Sequence, residues 1–326
     1  MTEAKRLHWI DSAKAIGILL VVLGHMSSGT HYHWFIFSFH MPLFFAISGF
    51  LYKYVGLKKE IKKILYSLFI PYLIYSVLLL MIYLAKHSFN AELVINHIIG
   101  NHNGNVEIWV PLCPLWFILS LIWMRLITTI LGNNILHGLL GGGAIVLYML
   151  LNSIMPESLD ILKIKSTLLC FPFFVMGQIV NKYHVIENFL SEKNVLYRGI
   201  FLIVVLTLGV IWGYNNGSVD VNRNLYGNNL PTFYIVATCL IFLFLSLCKI
   251  FVDKKWVILQ VLSEGTFLTM ALHYVMINSL LKLMPKFLAF VTIVVICILL
   301  TCLSKKFVPI LLGKTSRKNN KISRRI

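Results

Sequence analysis

Trp9-Ile10-Asp11-Ser12-Ala13-Lys14-Ala15-Ile16-Gly17-Ile18-Leu19-Leu20-Val21-Val22-Leu23-Gly24-His25-Met26 has the apolarity and length of a membrane helix, yet Asp11, Lys14 and His25 are threaded through it. A helix turns by about 100° per residue, so Lys14 and His25, eleven positions apart, end about 20° from one another. Asp11, Lys14, Ile18, Val21 and His25 therefore share one stripe. By helical rise Lys14 and His25 are separated by about 16 Å along the axis. Ionisable groups at membrane depth are costly, face the protein interior, and mark functional positions by default. The stretch predicts a membrane protein whose chemistry lies between its helices.

Working outward, the 326 residues are 58% hydrophobic and 13% charged, too apolar for a soluble globular chain. Apolar runs and turn signals place spans near 10–29, 34–54, 64–85, 114–131, 135–154, 166–182, 197–214, 231–250, 266–284 and 287–305. The expected fold is thus all-α, a polytopic bundle of about ten transmembrane helices in the cell membrane. A net charge of +17 would suit nucleic acid, but its placement argues otherwise. With the amino terminus inside, 22 of the 29 Lys and Arg residues fall on inner tails, loops and helix ends. That asymmetry follows the positive-inside rule, puts both termini in the cytoplasm and makes the basicity topological. No small-residue cleavage site follows the first run, so it is expected to be a retained helix rather than a secretory signal. The domains read as one membrane domain, 1–305, with a basic cytoplasmic tail, 306–326. No internal repeat is visible. The six cysteines (Cys113, Cys170, Cys239, Cys248, Cys297, Cys302) lack metal-ligand spacing and read as packing residues, with Cys113 nearest the outer face.

The second span, Trp34 to Phe50, holds His40, about 9 Å below its outer end by helical rise. His25 lies about four residues below the outer end of the first span, so the two imidazoles are expected at similar depth. One histidine in a helix is usually a hydrogen-bonded structural residue; two at matched depth beside Lys14 and Asp11 point to a site. Imidazole titrates near working pH, which suits deprotonation of a hydroxyl. Lys14 is one turn from Asp11, which offsets the cost of burying either charge. Pro42 tends to kink the helix, while Ser48 and Gly49 permit close packing. Next, Lys58, Lys59, Lys62 and Lys63 form a basic stripe suited to the phosphates of a donor, although positive-inside loops look alike. Trp116 opens the fourth span as an interface aromatic. His273, two turns into a helix approached by Ser263-Glu264-Gly265, reads first as a packed residue. Two outer segments, His87 to Pro114 and Tyr214 to Leu230, are long and polar. The first is a candidate lid, and the second reads equally well as a plain connector.

Lys14-x10-His25, preceded by Trp9-Ile10-Asp11, resembles the Arg/Lys-x10-His signature of the acyltransferase family three. Phe39-His40-Met41-Pro42-Leu43-Phe44-Phe45 with Ser48-Gly49 is similar to that family's second-helix motif, above all in its fucose-4-O-acetylase-like branch. Leu115-Trp116-Phe117 and the approach to His273 also look like the family. The resemblance implies ten helices, an acyl-coenzyme A donor, usually acetyl, and an O-linked acceptor such as a surface polysaccharide. The family's Arg-x-x-Arg ahead of a Pro-Tyr pair stands here as Lys59-x-x-Lys62 before Pro71-Tyr72. Lysine lacks the bidentate fork of arginine.

These readings converge on an O-acetyltransferase that moves acetyl from cytoplasmic acetyl-CoA to a sugar hydroxyl of a surface glycan or its lipid-linked precursor. No metal and no nucleic acid are expected; the partners are the bilayer, the acceptor and a glycan assembly complex. His25, Lys14, Asp11 and His40 are the expected catalytic set. Lys58, Lys59, Lys62 and Lys63 are the expected donor-binding set, with Ser48, Trp116 and His273 in support. His25 either deprotonates the acceptor or first carries the acetyl group. The alternative is a permease or flippase for a lipid-linked sugar, with the buried ions as a proton relay; internal repeats and paired broken helices would favour it.

Overall fold

The structure, a computed structural model, describes residues 6–27, 30, 32–86, 88–98, 100, 113–132, 137–156 and 159–314. It is 81% helical, with one short strand pair among the described residues, so the chain is an all-α polytopic membrane bundle. In chain order the helices are α1 (His8–Met26), α2 (His33–Phe37), α3 (His40–Phe50), α4 (Leu57–Ile64), α5 (Ile70–Leu84), α6 (Ala91–Ile98), α7 (Trp116–Leu131) and α8 (His137–Ile154). They continue with α9 (Ile164–Lys182), α10 (Val185–Ser191), α11 (Val195–Asn216), α12 (Leu230–Phe251), α13 (Val257–Glu264), α14 (Thr266–Leu280) and α15 (Lys286–Phe307). Each of the ten expected hydrophobic segments coincides with helix over most of its described residues. Seven are long and apolar enough to cross a membrane, and three shorter apolar helices run Trp116–Leu131, Gly138–Ile154 and Thr266–Leu280.

Two prolines set the main irregularities. The second span is not one uninterrupted helix: it breaks at Phe39 (φ −143°, ψ −16°) into α2 and α3. Pro42 accounts for the position, because a proline ring clashes with the carbonyl four residues back, here Ser38. The break therefore lies a turn before the proline rather than at it. Likewise, α4 runs into α5 through a π turn, Leu65–Phe69. Pro71 cannot bond the carbonyl of Ser67, and the wider turn absorbs the mismatch. The basic stripe is thus the first two turns of one 28-residue helical run, Leu57–Leu84.

The chain divides into two compact units. The first comprises Met1–Tyr52, Phe173–Asp220 and Leu225–Thr266. Here α1 packs on α3, α12 and α13 through fully buried Trp9, Ala13, Ala15, Ile18 and Val22. Gly49 and Gly177 let α3 meet the end of α9 backbone to backbone. A Cβ at Gly49 would stand 1.9 Å from the Phe174 carbonyl oxygen, and one at Gly177 would stand 1.9 Å from that of Ala46. The segment after α11 is structured: Val219–Asp220 pairs antiparallel with Leu225–Tyr226. Asn216 Nδ2 donates to the Tyr226 carbonyl at 2.7 Å, and its Oδ1 accepts from the Asn229 N–H at 2.9 Å. Asn229 then caps α12 by accepting from the Thr232 N–H at 3.0 Å.

The second unit comprises Lys53–Pro172, Val221–Asn224 and Phe267–Ile326. Tyr75 anchors its core, stacked on Phe267 at 5.7 Å, with its hydroxyl donating to the Leu311 carbonyl at 3.1 Å. Lys163 and Lys165 are fully buried with Asp160. Lys163 Nζ donates to the Asn222 carbonyl at 3.0 Å and Lys165 Nζ to that of Pro156 at 3.0 Å. Asp160 accepts from the N–H groups of Lys165 and Ser166. Leu162, Lys163 and Asn224 take positive φ to close this cage, a strain the polar contacts must hold. Of the candidate lid, α6 is described, whereas 101–112 lie outside the described residues, as does the tail from 315.

Candidate active site

In the first unit α1 carries the ionisable stripe. Ile18 and Val21, on the same stripe, are buried, so it faces the interior; Asp11, Lys14 and His25 are half-buried at its flanks. The N-terminal end of the stripe is tied down by residues that sequence reading did not assign. Ser263 Oγ donates to Asp11 Oδ1 at 2.8 Å, Arg6 pairs with Asp11 Oδ2, and Arg6 Nη1 reaches Glu264 Oε1 at 3.1 Å. Asp11, above all through its hydrogen bond, holds the Arg6 guanidinium above its ordinary pKa. Glu264 closes α13 instead of opening the helix that bears His273, because Gly265 separates the two. Ser12 Oγ also donates to the Val252 carbonyl at 3.1 Å, and the Trp9 N–H to Asp253 Oδ1 at 3.3 Å.

At the other end of α1 the two histidines come together. The ring centroids of His25 and His40 are 6.5 Å apart with planes at 90°. Phe37 packs edge-on to both, at 5.5 Å from His25 and 4.7 Å from His40. The break before α3 makes this possible, because it turns His40 into the first residue of a new helix. His40 is buried, and its Nδ1 lies 2.8 Å from the Ile36 carbonyl. A carbonyl only accepts, so Nδ1 carries a proton, and Nε2 is the nitrogen left for proton exchange. A third imidazole, His33, adjoins this pair. Its ring is 4.1 Å from Phe37, and its Nδ1 lies 3.2 Å from both Ser27 Oγ and the Gly24 carbonyl. The density of histidine between positions 25 and 40 was the available signal for it.

Ser48 is half-buried and its hydroxyl donates to the Phe44 carbonyl at 2.7 Å, which leaves packing as its visible contribution. Three expected elements belong to the second unit. Trp116 is buried at the start of α7, edge-on to Phe117 at 6.4 Å. His273 is fully buried, with Nδ1 donating to the carbonyls of Thr269 and Met270 at 2.9 Å, so its tautomer is set as in His40. Lys58, Lys59, Lys62 and Lys63 are exposed along α4, and Glu60 between them is buried and paired with Arg125 of α7. Among the described residues no group of three or more His, Cys, Asp and Glu is placed to hold a metal ion.

A base with a fixed tautomer next to a second imidazole can take a proton from a hydroxyl, and the exposed lysines can attract an anion. A family model described as an acyltransferase domain matches residues 7–304. Comparison with curated proteins and with solved structures gave no match.

Proposed function

The chain belongs to the acyltransferase family three, and on that premise we propose that it is an O-acetyltransferase acting on a sugar hydroxyl. That it is a multi-pass membrane acyltransferase follows from the family and the span-capable helices. The donor is cytoplasmic acetyl-CoA. The acceptor is a surface polysaccharide or its lipid-linked precursor, as in the fucose-4-O-acetylase-like branch, and the host membrane is the cell membrane. Ten spans with both termini cytoplasmic complete this topology.

The observation that carries the reading is the meeting of His25 and His40 at one end of the Asp11/Lys14 stripe. His25 takes the proton of the acceptor hydroxyl as its oxygen attacks the thioester carbonyl. The C–O bond forms, the C–S bond breaks, and the proton passes to the departing thiolate. His40, with Nδ1 held by the Ile36 carbonyl, orients His25 and meets the charge that develops on it. Lys14 offers a positive charge to the polar part of the donor arm about 16 Å along the helix from His25. Asp11, fixed by Arg6 and Ser263, holds that end of the stripe in place. Lys58, Lys59, Lys62 and Lys63 attract the donor phosphates.

Purified protein in detergent, given acetyl-labelled acetyl-CoA, tests this. An acetyltransferase transfers or hydrolyses the label. Intact acetyl-CoA after long incubation, with a lipid-linked sugar present, would refute the proposal and favour a permease.

A further inference from the structure

Glu60 does not behave like the residues around it. Lys58, Lys59, Lys62 and Lys63 are exposed, whereas Glu60, on the same eight-residue helix, is fully buried. It turns toward α7, where Arg125 Nε donates to Oε1 at 2.7 Å and Arg125 Nη2 donates to the same oxygen. Both bonds fall on one carboxylate oxygen. Oε2 has no hydrogen-bond partner among the described residues. Arg125 likewise keeps a nitrogen in reserve, since Nη1 makes no hydrogen bond among them. Its side chain is 12% exposed, so the contact with Glu60 does not seal it completely. Lys63 counts Arg125 and Glu60 among its neighbouring charges, which places the guanidinium beside the basic stripe. An arginine so held is always charged, planar and pre-oriented, and it supplies the fork that the four lysines lack.

We propose that Arg125 is a phosphate-binding residue of the donor site, with Glu60 as the residue that positions it. The inference rests on the reading of the lysine stripe as the coenzyme A site. Nη1 donates to a phosphate oxygen of the donor while Nε and Nη2 stay on Glu60. The lysines then act as point charges that draw the anion in, and Arg125 fixes its orientation. Glu60 also lowers the net positive charge of the empty site, so part of the attraction between site and phosphate is held back by its carboxylate.

The test is isothermal titration of coenzyme A into protein purified in a neutral detergent free of anionic lipid. Three proteins are compared: wild type, Glu60→Gln, and the double variant Glu60→Gln with Arg125→Gln. The double variant leaves no uncompensated buried charge, so it is expected to fold. Loss of one charge-assisted bond should raise its Kd about tenfold or more. The amide oxygen introduced by Glu60→Gln can still accept from Nε and Nη2, so this variant keeps the guanidinium oriented while removing a competing negative charge, and it should bind as tightly as wild type or more so. Unfolding temperatures are recorded for all three. Double-variant affinity equal to wild type would overturn the assignment, as would affinities that fall in both variants in step with their unfolding temperatures. A membrane phospholipid carries the same phosphate chemistry, so phosphatidylglycerol retention is measured by native mass spectrometry. The donor assignment expects retention to be unchanged. Loss of lipid with unchanged coenzyme A affinity would assign the site to a headgroup instead. A wild type that binds no coenzyme A would refute the donor reading itself, whereas wild-type binding matched by the double variant refutes only the role of Arg125.

Discussion

Replacing Gly49 with alanine puts a methyl group where there is no room for one. The added Cβ would stand 1.9 Å from the Phe174 carbonyl oxygen, 2.7 Å from its carbon and 3.1 Å from its Cα. Ordinary carbon–oxygen contacts begin at about 3.3 Å, so α3 and α9 must part by about 1.4 Å. All three obstructing atoms are backbone, and no rotamer change can clear them. Buried Phe45, Phe173 and Phe174 adjoin or form the contact positions in sequence, and a gap of 0.5–1 Å already forfeits about a quarter to a half of each dispersion contact. Overpacking of this kind costs about 1–3 kcal/mol, and backbone on both sides puts Gly49→Ala near the upper figure. Gly177→Ala should act alike, because its Cβ would meet the Ala46 carbonyl oxygen at 1.9 Å. The two changes together should cost less than their sum, since helices already parted need not part twice. Gly143→Ala is the control: nothing lies within 4 Å of its Cβ, and alanine in a helix is favoured by roughly 0.5–1 kcal/mol. The assay is thermal unfolding in one detergent, followed by tryptophan fluorescence. Gly49→Ala unfolding at the temperature of Gly143→Ala would refute the close backbone seam.

Reversal of the stripe (Lys58→Glu, Lys59→Glu, Lys62→Glu, Lys63→Glu) should weaken coenzyme A binding by about tenfold or more, at a few tenths of a kcal/mol per exposed charge. A control with compensating lysines elsewhere in the loop preserves topology, and equal affinity in the two proteins would reduce the stripe to a topological anchor. His97 of α6 is buried and accepts or shares a 2.5 Å hydrogen bond with Ser76 Oγ. Burial lowers its pKa from 6.5 to about 4. Because the folded pKa lies below the unfolded one, its contribution to stability is complete above about pH 6.5, falls as pH drops toward 4, and is flat below that. Unfolding temperatures of wild type should therefore decline more between pH 6.5 and 4 than those of His97→Gln; parallel profiles would contradict the burial of this imidazole. Cysteine at position 25, which is half-buried where position 40 is sealed, should react in an otherwise cysteine-free protein with membrane-impermeant thiol reagents from outside. Labelling of position 25 only from the cytoplasmic side would reverse the proposed topology.

The helices were legible because a bilayer demands a minimum apolar length, which seven of the described helices reach, while three more are apolar but shorter. The break in the second span was only partly legible: Pro42 signals a kink, but the steric conflict falls on Ser38, four residues earlier. The short helices α6, α10 and α13 do not span, so hydropathy gave no sign of them. At the site, unbroken α1 keeps Asp11, Lys14 and His25 on one stripe, and the two imidazoles expected near each other have ring centroids 6.5 Å apart. The partners of Asp11 were out of reach, since Ser263 lies 252 positions away in sequence. Charge alone also misled. Glu60, Lys163 and Lys165 look like solvated loop residues, yet they are fully buried; distant Arg125 and Asn222 supply partners for Glu60 and Lys163, and nearby Pro156 supplies one for Lys165.

Acetyl-CoA turnover by purified His25→Ala, set beside wild type at matched folding and detergent conditions, bears most directly on the acyltransferase mechanism. A general base contributes about 10²–10⁴-fold, so turnover should fall by about a hundredfold or more while the unfolding temperature and coenzyme A affinity stay near wild type. A well-folded His25→Ala that turns over acetyl-CoA at the wild-type rate would remove His25 from the chemistry, and with it the mechanism built on the meeting of the two imidazoles.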